Sequence, residues 1–149
     1  MIETLLVQSV GVGFVIALIA GMYKANARRW GRLASAYRVS EQLPSYSESA
    51  MQTIILVGGD FGWNSYRGIT TVGVAPEGLL LKLMPPFSTF HPPLLIPYSD
   101  LSIEPKRWYL IGKSHQCTLR RVDDVRIIID DKVLEWIKSE ATSLAVETR

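Results

Sequence analysis

The run of twenty uncharged, mostly apolar residues from Thr4 to Tyr23 limits what this chain can become more than any other segment. At about 1.5 Å of rise per residue it is, as a helix, just long enough to cross a hydrocarbon core of about 30 Å. Only Met1, Ile2 and Glu3 precede it, whereas five cations and no acid follow at Lys24, Arg28, Arg29, Arg32 and Arg38. Flanking cations stay on the cytoplasmic side of a span, so the asymmetry predicts a single-pass protein with its N-terminus outside and its C-terminal region cytoplasmic. A cleaved secretory signal is the competing expectation, because Ala25-Asn26-Ala27 has the small-residue pattern of a cleavage site. Such a signal begins with basic residues, however, and this segment begins with an acid.

The formal net charge of +2 conceals a segregation. Beyond residue 38 there are eleven cations against thirteen acids, so the excess positive charge lies beside the apolar run and the remainder is slightly acidic. Nucleic-acid binding, which needs a basic face on the folded domain, is therefore not expected. One cysteine, Cys117, forms no internal disulfide and suits a reducing compartment. Two histidines and that cysteine, far apart, give no zinc-ligand spacing, and neither a metal nor a cofactor is expected.

Within the apolar run, Gly13, Ala17 and Gly21 recur every fourth residue and share one helix face, a candidate surface for close packing against a second copy or a larger membrane partner. Glycine is also simply common in membrane helices. Past the run, Trp30, Leu33, Ala34 and Tyr37 repeat at helical spacing. This predicts a basic juxtamembrane helix over residues 24–38, with Lys24, Arg28, Arg29, Trp30 and Arg32 as candidate membrane-surface residues; the bland alternative is that the cations only set topology.

Residues 39–50 are polar, serine-rich and contain Pro44, the composition of a linker, and the folded domain is expected over residues 51–149. Seven β-type runs follow: Thr53–Val57, Gly68–Ala75, Gly78–Met84, Leu94–Ile103, Arg107–Ile111, Gln116–Val122 and Val125–Asp130. Short turn sequences between them favour an antiparallel meander. Leu79, Leu81 and Leu83 share one face, as do Val125, Ile127 and Ile129. Leu94 and Ile96 are in even phase but Leu101 and Ile103 in odd, so that run should carry an irregularity near Ser99 or Asp100, and Pro97 predicts a sheet edge or an interruption. Asp130 or Asp131 should cap a last helix with an apolar stripe of Val133, Trp136, Ile137, Ala141 and Leu144.

Seven antiparallel strands followed by one amphipathic helix resemble the pleckstrin-homology-like superfold, including its GRAM branch, over roughly residues 51–145. More closely, Trp30-Gly31-Arg32-Leu33-Ala34, Gly78-Leu79-Leu80-Leu81 and the stretch from Phe90 to Asp100 resemble a family of small bacterial membrane-anchored proteins. The resemblance implies two sheets closed by a C-terminal helix, at a bacterial cytoplasmic membrane. It transfers no catalytic residues.

The first hairpin connection departs from the basic loop by which pleckstrin-homology domains hold phosphoinositides. It offers one cation, one acid, and the aromatics Phe61, Trp63 and Tyr66, of which at least one is expected to pack inward. The proline-rich connection from Met84 to Pro93 carries Phe87 and Phe90, which either cap the core or project outward. Phe61, Trp63, Phe87 and Phe90 are thus candidate interaction-loop residues. His91 with Ser99 and Asp100 names the residue types of a triad, but nearness in sequence is no triad geometry, and no catalysis is expected. These readings favour a non-catalytic accessory protein that presents a cytoplasmic module to another integral membrane protein or complex. The alternative is an adaptor or sensor that binds anionic lipid.

Overall fold

The computed structural model describes residues 1–39, 47–59, 61–108 and 112–147. The apolar run forms α1 (Ile2–Asn26), none of whose residues is buried. A break at Ala27 separates it from α2 (Arg28–Tyr37). Seven strands follow among the described residues: β1 (Ser47–Gly58), β2 (Trp63–Ala75), β3 (Gly78–Leu83), β4 (Leu94–Ile96), β5 (Leu101–Pro105), β6 (Ser114–Leu119) and β7 (Val125–Asp130). The chain closes with α3 (Asp131–Glu147).

All strands belong to one curled antiparallel sheet in the order β4-β3-β2-β1-β7-β6-β5. Two meanders, β1 to β4 and β5 to β7, are joined through the β1–β7 pair, in which Leu56 faces Ile127. A single continuous meander is therefore not what forms. Leu94–Ile103, expected as one strand, is cut after Pro97 by a 3-10 turn at Tyr98–Asp100, and its halves β4 and β5 lie at opposite edges of the sheet. Pro97 lacks the donor needed to continue a ladder, which places the break there. The expected Arg107–Ile111 strand ends on residues 109–111, outside the described residues; ahead of them Trp108 makes an isolated bridge to Gly112.

Alternation along the strands puts Ile54, Leu56, Val72, Val74, Leu79, Leu81, Val125 and Ile127 into one core. From the C-terminal side α3 adds Val133, Leu134 and Ile137, with Trp136, Ala141 and Leu144 packed against them. Its start is fixed as expected, since Val133 N–H donates to Asp130 Oδ1 (2.8 Å). The same core receives Trp30, Leu33 and Tyr37 from α2.

That placement revises the expected organisation. The segment over 24–38 is the last turn of α1 plus α2, and α2 packs its apolar face into the core of the domain. The folded unit therefore begins near Ala27, not at residue 51. The expected linker is also shorter: Val39 N–H donates to the Pro93 carbonyl (3.0 Å), residues 40–46 lie outside the described residues, and 47–50 already belong to β1.

Candidate functional site at the helix junction

Three segments distant in sequence meet where α1 gives way to α2. Trp30, with 0% of its surface exposed, donates its indole N–H to the Pro92 carbonyl (2.7 Å) and sits edge-on to Tyr66 and His91. Tyr23, at the end of the apolar run, stacks edge-to-face on His91 at 6.1 Å. His91 Nδ1 lies 2.7 Å from the Thr89 carbonyl and so must donate to it, which leaves Nε2 to accept from the Tyr66 hydroxyl at 3.3 Å. Burial holds His91 below its usual pKa and pushes the Tyr66 phenol up. Both groups are thus kept neutral.

Arg29 organises the other half of the junction. Only 8% exposed, it donates from Nε to the Gly58 carbonyl (2.8 Å), from Nη1 to Asn64 Oδ1 (2.7 Å) and from Nη2 to the carbonyls of Phe61 (3.1 Å) and Gly62 (3.0 Å). One guanidinium fork therefore ties the end of β1 to Phe61, Gly62 and the start of β2. Asn64 Nδ2–H in turn donates to Asn26 Oδ1, tying that loop to the last turn of α1. Gly58 permits the arrangement: its φ is +89°, and a Cβ there would meet the Asp124 carbonyl oxygen at 2.1 Å.

The candidates expected at the membrane surface divide accordingly. Trp30 and Arg29 are buried in the domain and present no surface to headgroups, while Lys24, Arg28 and Arg32 are exposed. Arg32 pairs with Asp124 at 2.5 Å. Of the loop aromatics, Tyr66 is the one that packs inward. Phe61 is fully exposed, and Trp63, Phe87 and Phe90 retain 45%, 41% and 54% of their surface. Gly13, Ala17 and Gly21 lie on the exposed α1, and a Cβ at Gly13 or Gly21 would meet nothing.

Two grooves flank the end of α1. One, of about 680 Å³, has Ile19, Met22, Tyr23 and Asn26 on the helix side and Phe61, Trp63 and Asn64 across from them. The other, of about 260 Å³, sets Tyr23 and Asn26 against Ile69, Leu83, Phe87 and His91. A third, of about 650 Å³, runs along α2 and is lined by Arg28, Arg29, Arg32 and Arg121 together with Asp123 and Asp124.

The residues named as a triad do not assemble. Asp100 Oδ2 accepts from Arg121 Nε (2.6 Å) and the Tyr37 hydroxyl (3.2 Å), and the Arg121 guanidinium also lies over the Tyr37 ring. This hydrogen bond from Arg121 holds the Asp100 carboxyl below its usual pKa. Cys117 is buried, and burial pushes its thiol up to about 12. Among the described residues no group of three His, Cys, Asp or Glu side chains is placed to hold a metal ion.

Sequence reasoning missed Asn26 and Asn64 altogether. Neither carries a local signal, because each acts only across contacts between segments 35 to 38 residues apart. Comparison with known proteins returns no matching family, no curated relative and no solved structure.

Proposed function

We propose that this chain is a non-catalytic, single-pass membrane accessory protein. In this reading α1 holds a pleckstrin-homology-like module at the cytoplasmic face of a bacterial inner membrane, where helix and module together bind another integral membrane protein or complex. One observation carries the proposal: a helix with no buried residue, long and apolar enough to span, is keyed at its end into a folded domain by Asn26, Tyr23 and α2. An apolar surface of that extent needs lipid or other helices around it. The pleckstrin-homology-like part is supported by a curled seven-stranded antiparallel sheet with α3 packed on its core. Tethering raises the module's effective concentration near membrane partners, so that weak contacts suffice.

A cleaved N-terminal signal passes the same test of length and apolarity. Cleavage after Ala27, however, would remove Tyr23 and Asn26 from their contacts with His91 and Asn64. Intact mass of the membrane-extracted protein decides between the two: the proposal expects residues 1–27 to be present. Mild-detergent purification from the native membrane should then bring down a partner in defined stoichiometry, and recovery of a bare monomer would overturn the accessory role. A second reading, binding of anionic lipid, is favoured by the arginine-lined groove along α2. It expects salt-sensitive binding of the full chain to anionic over zwitterionic nanodiscs, and equal behaviour in both would remove it.

A further inference from the structure

We infer that Phe61, Trp63 and Phe87 form an aromatic collar that embeds in the bilayer surface around the exit of α1 and fixes the domain's orientation on the membrane. The inference rests on α1 spanning the bilayer, and it adds a lipid-binding surface that belongs to the domain and not to the anchor.

Depth is the first reason. The helix wall facing Phe61 and Trp63 starts with Ile19, Met22 and Tyr23, inside the uncharged run that ends at Tyr23, and continues through Ala25, Asn26, Arg28 and Arg29 beyond it. Ile19 lies four residues, or about 6 Å of helix rise, inside the end of that run, so the groove straddles the hydrocarbon edge and reaches from it into the headgroup layer. Phe87 faces the same Tyr23 from the other groove. The collar is therefore level with the end of the span, on two sides of it.

Chemistry agrees with depth. Phe61, on a loop that the Arg29 fork holds in place, and Trp63, which opens β2 edge-on to Trp108, are large, exposed apolar side chains; Trp is enriched at membrane interfaces, and Phe serves there as an inserted apolar group. Lys24 and Arg28 stand exposed at the same end, where anionic headgroups would meet them. Rigidity completes the case. With Ala27 buried, Asn26 bonded to Asn64 and Trp30 in the core, α1 is not a free tether, and inserting the helix carries the loop to the interface with it.

The test uses the full chain in nanodiscs of phosphatidylcholine with phosphatidylglycerol. Buried Cys117 leaves introduced thiols as the labelling sites. Spin labels are placed at Phe61→Cys, Phe87→Cys, Val15→Cys within the span, and Glu77→Cys in the exposed turn at the opposite end of β2. Collision with oxygen against a water-soluble nickel chelate reads depth. The collar expects labels at 61 and 87 to be shielded from nickel at least several-fold relative to 77, with values between 77 and 15. Labels at 61 and 87 that match 77, while 15 remains lipid-like, would overturn the collar and leave the anchor standing. A water-like label at 15 would overturn the spanning reading, and the collar with it.

Discussion

Arg29 is the side chain on which the junction most depends, because four acceptors of the β1–β2 hairpin share its guanidinium. Arg29→Lys keeps the charge but replaces a planar fork with a point donor, stranding several of those acceptors. The expected loss is about 2 to 3 kcal/mol, read as a lower midpoint in unfolding of the full chain in detergent; an unchanged midpoint would contradict the role assigned here. Gly58→Ala should cost about 2 kcal/mol or more by the same measurement, since it adds a left-handed φ penalty to a clash with the Asp124 carbonyl. Gly68→Ala is the useful comparison: its φ is also positive, at +66°, but a Cβ there meets nothing, so only the conformational part should appear. Acid sensitivity belongs to this scale too. Arg121 holds the Asp100 carboxyl below its ordinary 3.8, so the stability carried by this contact is complete above that pH and lost as pH falls through the folded value. Burial holds His91 below 6.5, so folding favours the neutral ring, and this contribution is complete above 6.5 and lost as pH falls through its own lower folded pKa. Stability should therefore decline in acid in two stages. Asp100→Asn should flatten the lower stage and spare the upper; Asp131, held down by its hydrogen bond from His115, keeps the lower stage from vanishing.

Among the elements α2 decides whether the domain folds at all. Removing it empties the core of Trp30, Leu33 and Tyr37, and truncating one buried aromatic or leucine alone costs about 2 to 5 kcal/mol against a typical total of about 5 to 15. A fragment starting at Met51, the boundary that composition suggests, should thus be unfolded or aggregated. One starting at Arg28 should give a cooperative transition and dispersed amide resonances. The opposite ranking would return α2 to the membrane surface. The α2 case also shows what local pattern can and cannot carry. Trp30, Leu33 and Tyr37 reveal a helix with an apolar stripe, but a stripe of that kind suits a lipid interface and a sheet equally well, and nothing within fifteen residues tells them apart. The cap at Asp130 and the stripe on α3 were legible because capping and the 3.6-residue period are local. In Leu94–Ile103 the change of phase disclosed an irregularity, yet the crossing of β5 to the far edge depends on pairing with β6, which no local period encodes. The opposite error occurs in β1, whose first residues Ser47, Glu48 and Ser49 pair with Val74, Gly73 and Val72 despite a loop-like composition.

For the whole molecule, the junction makes α1 and the β domain one object, which the sequence shows only in pieces. Aromatics in loops mark Phe61, Trp63 and Phe87 as candidates, but their convergence on Tyr23 follows from the β1–β2 hairpin and the connection after β3 ending on the same side of a curled sheet. Among the described residues, the remaining surface of α1 has no counterpart. A Cβ at Gly11, Gly13 or Gly21 meets nothing, so these glycines serve no close approach among the described residues. The accessory reading gives them an external use, as positions where a second helix comes near. Gly13→Leu combined with Gly21→Leu separates the two levels of organisation. Because neither position touches the domain, its unfolding midpoint should stay where it is. Co-purification of a partner from the native membrane should nevertheless fall severalfold, since bulky side chains hold two backbones apart. Partner recovery unchanged beside an unchanged midpoint would take α1 out of the contact and leave recognition to the domain's own surface. A lowered midpoint would instead mean that helix and domain communicate through the Asn26 and Tyr23 contacts more strongly than their few bonds imply.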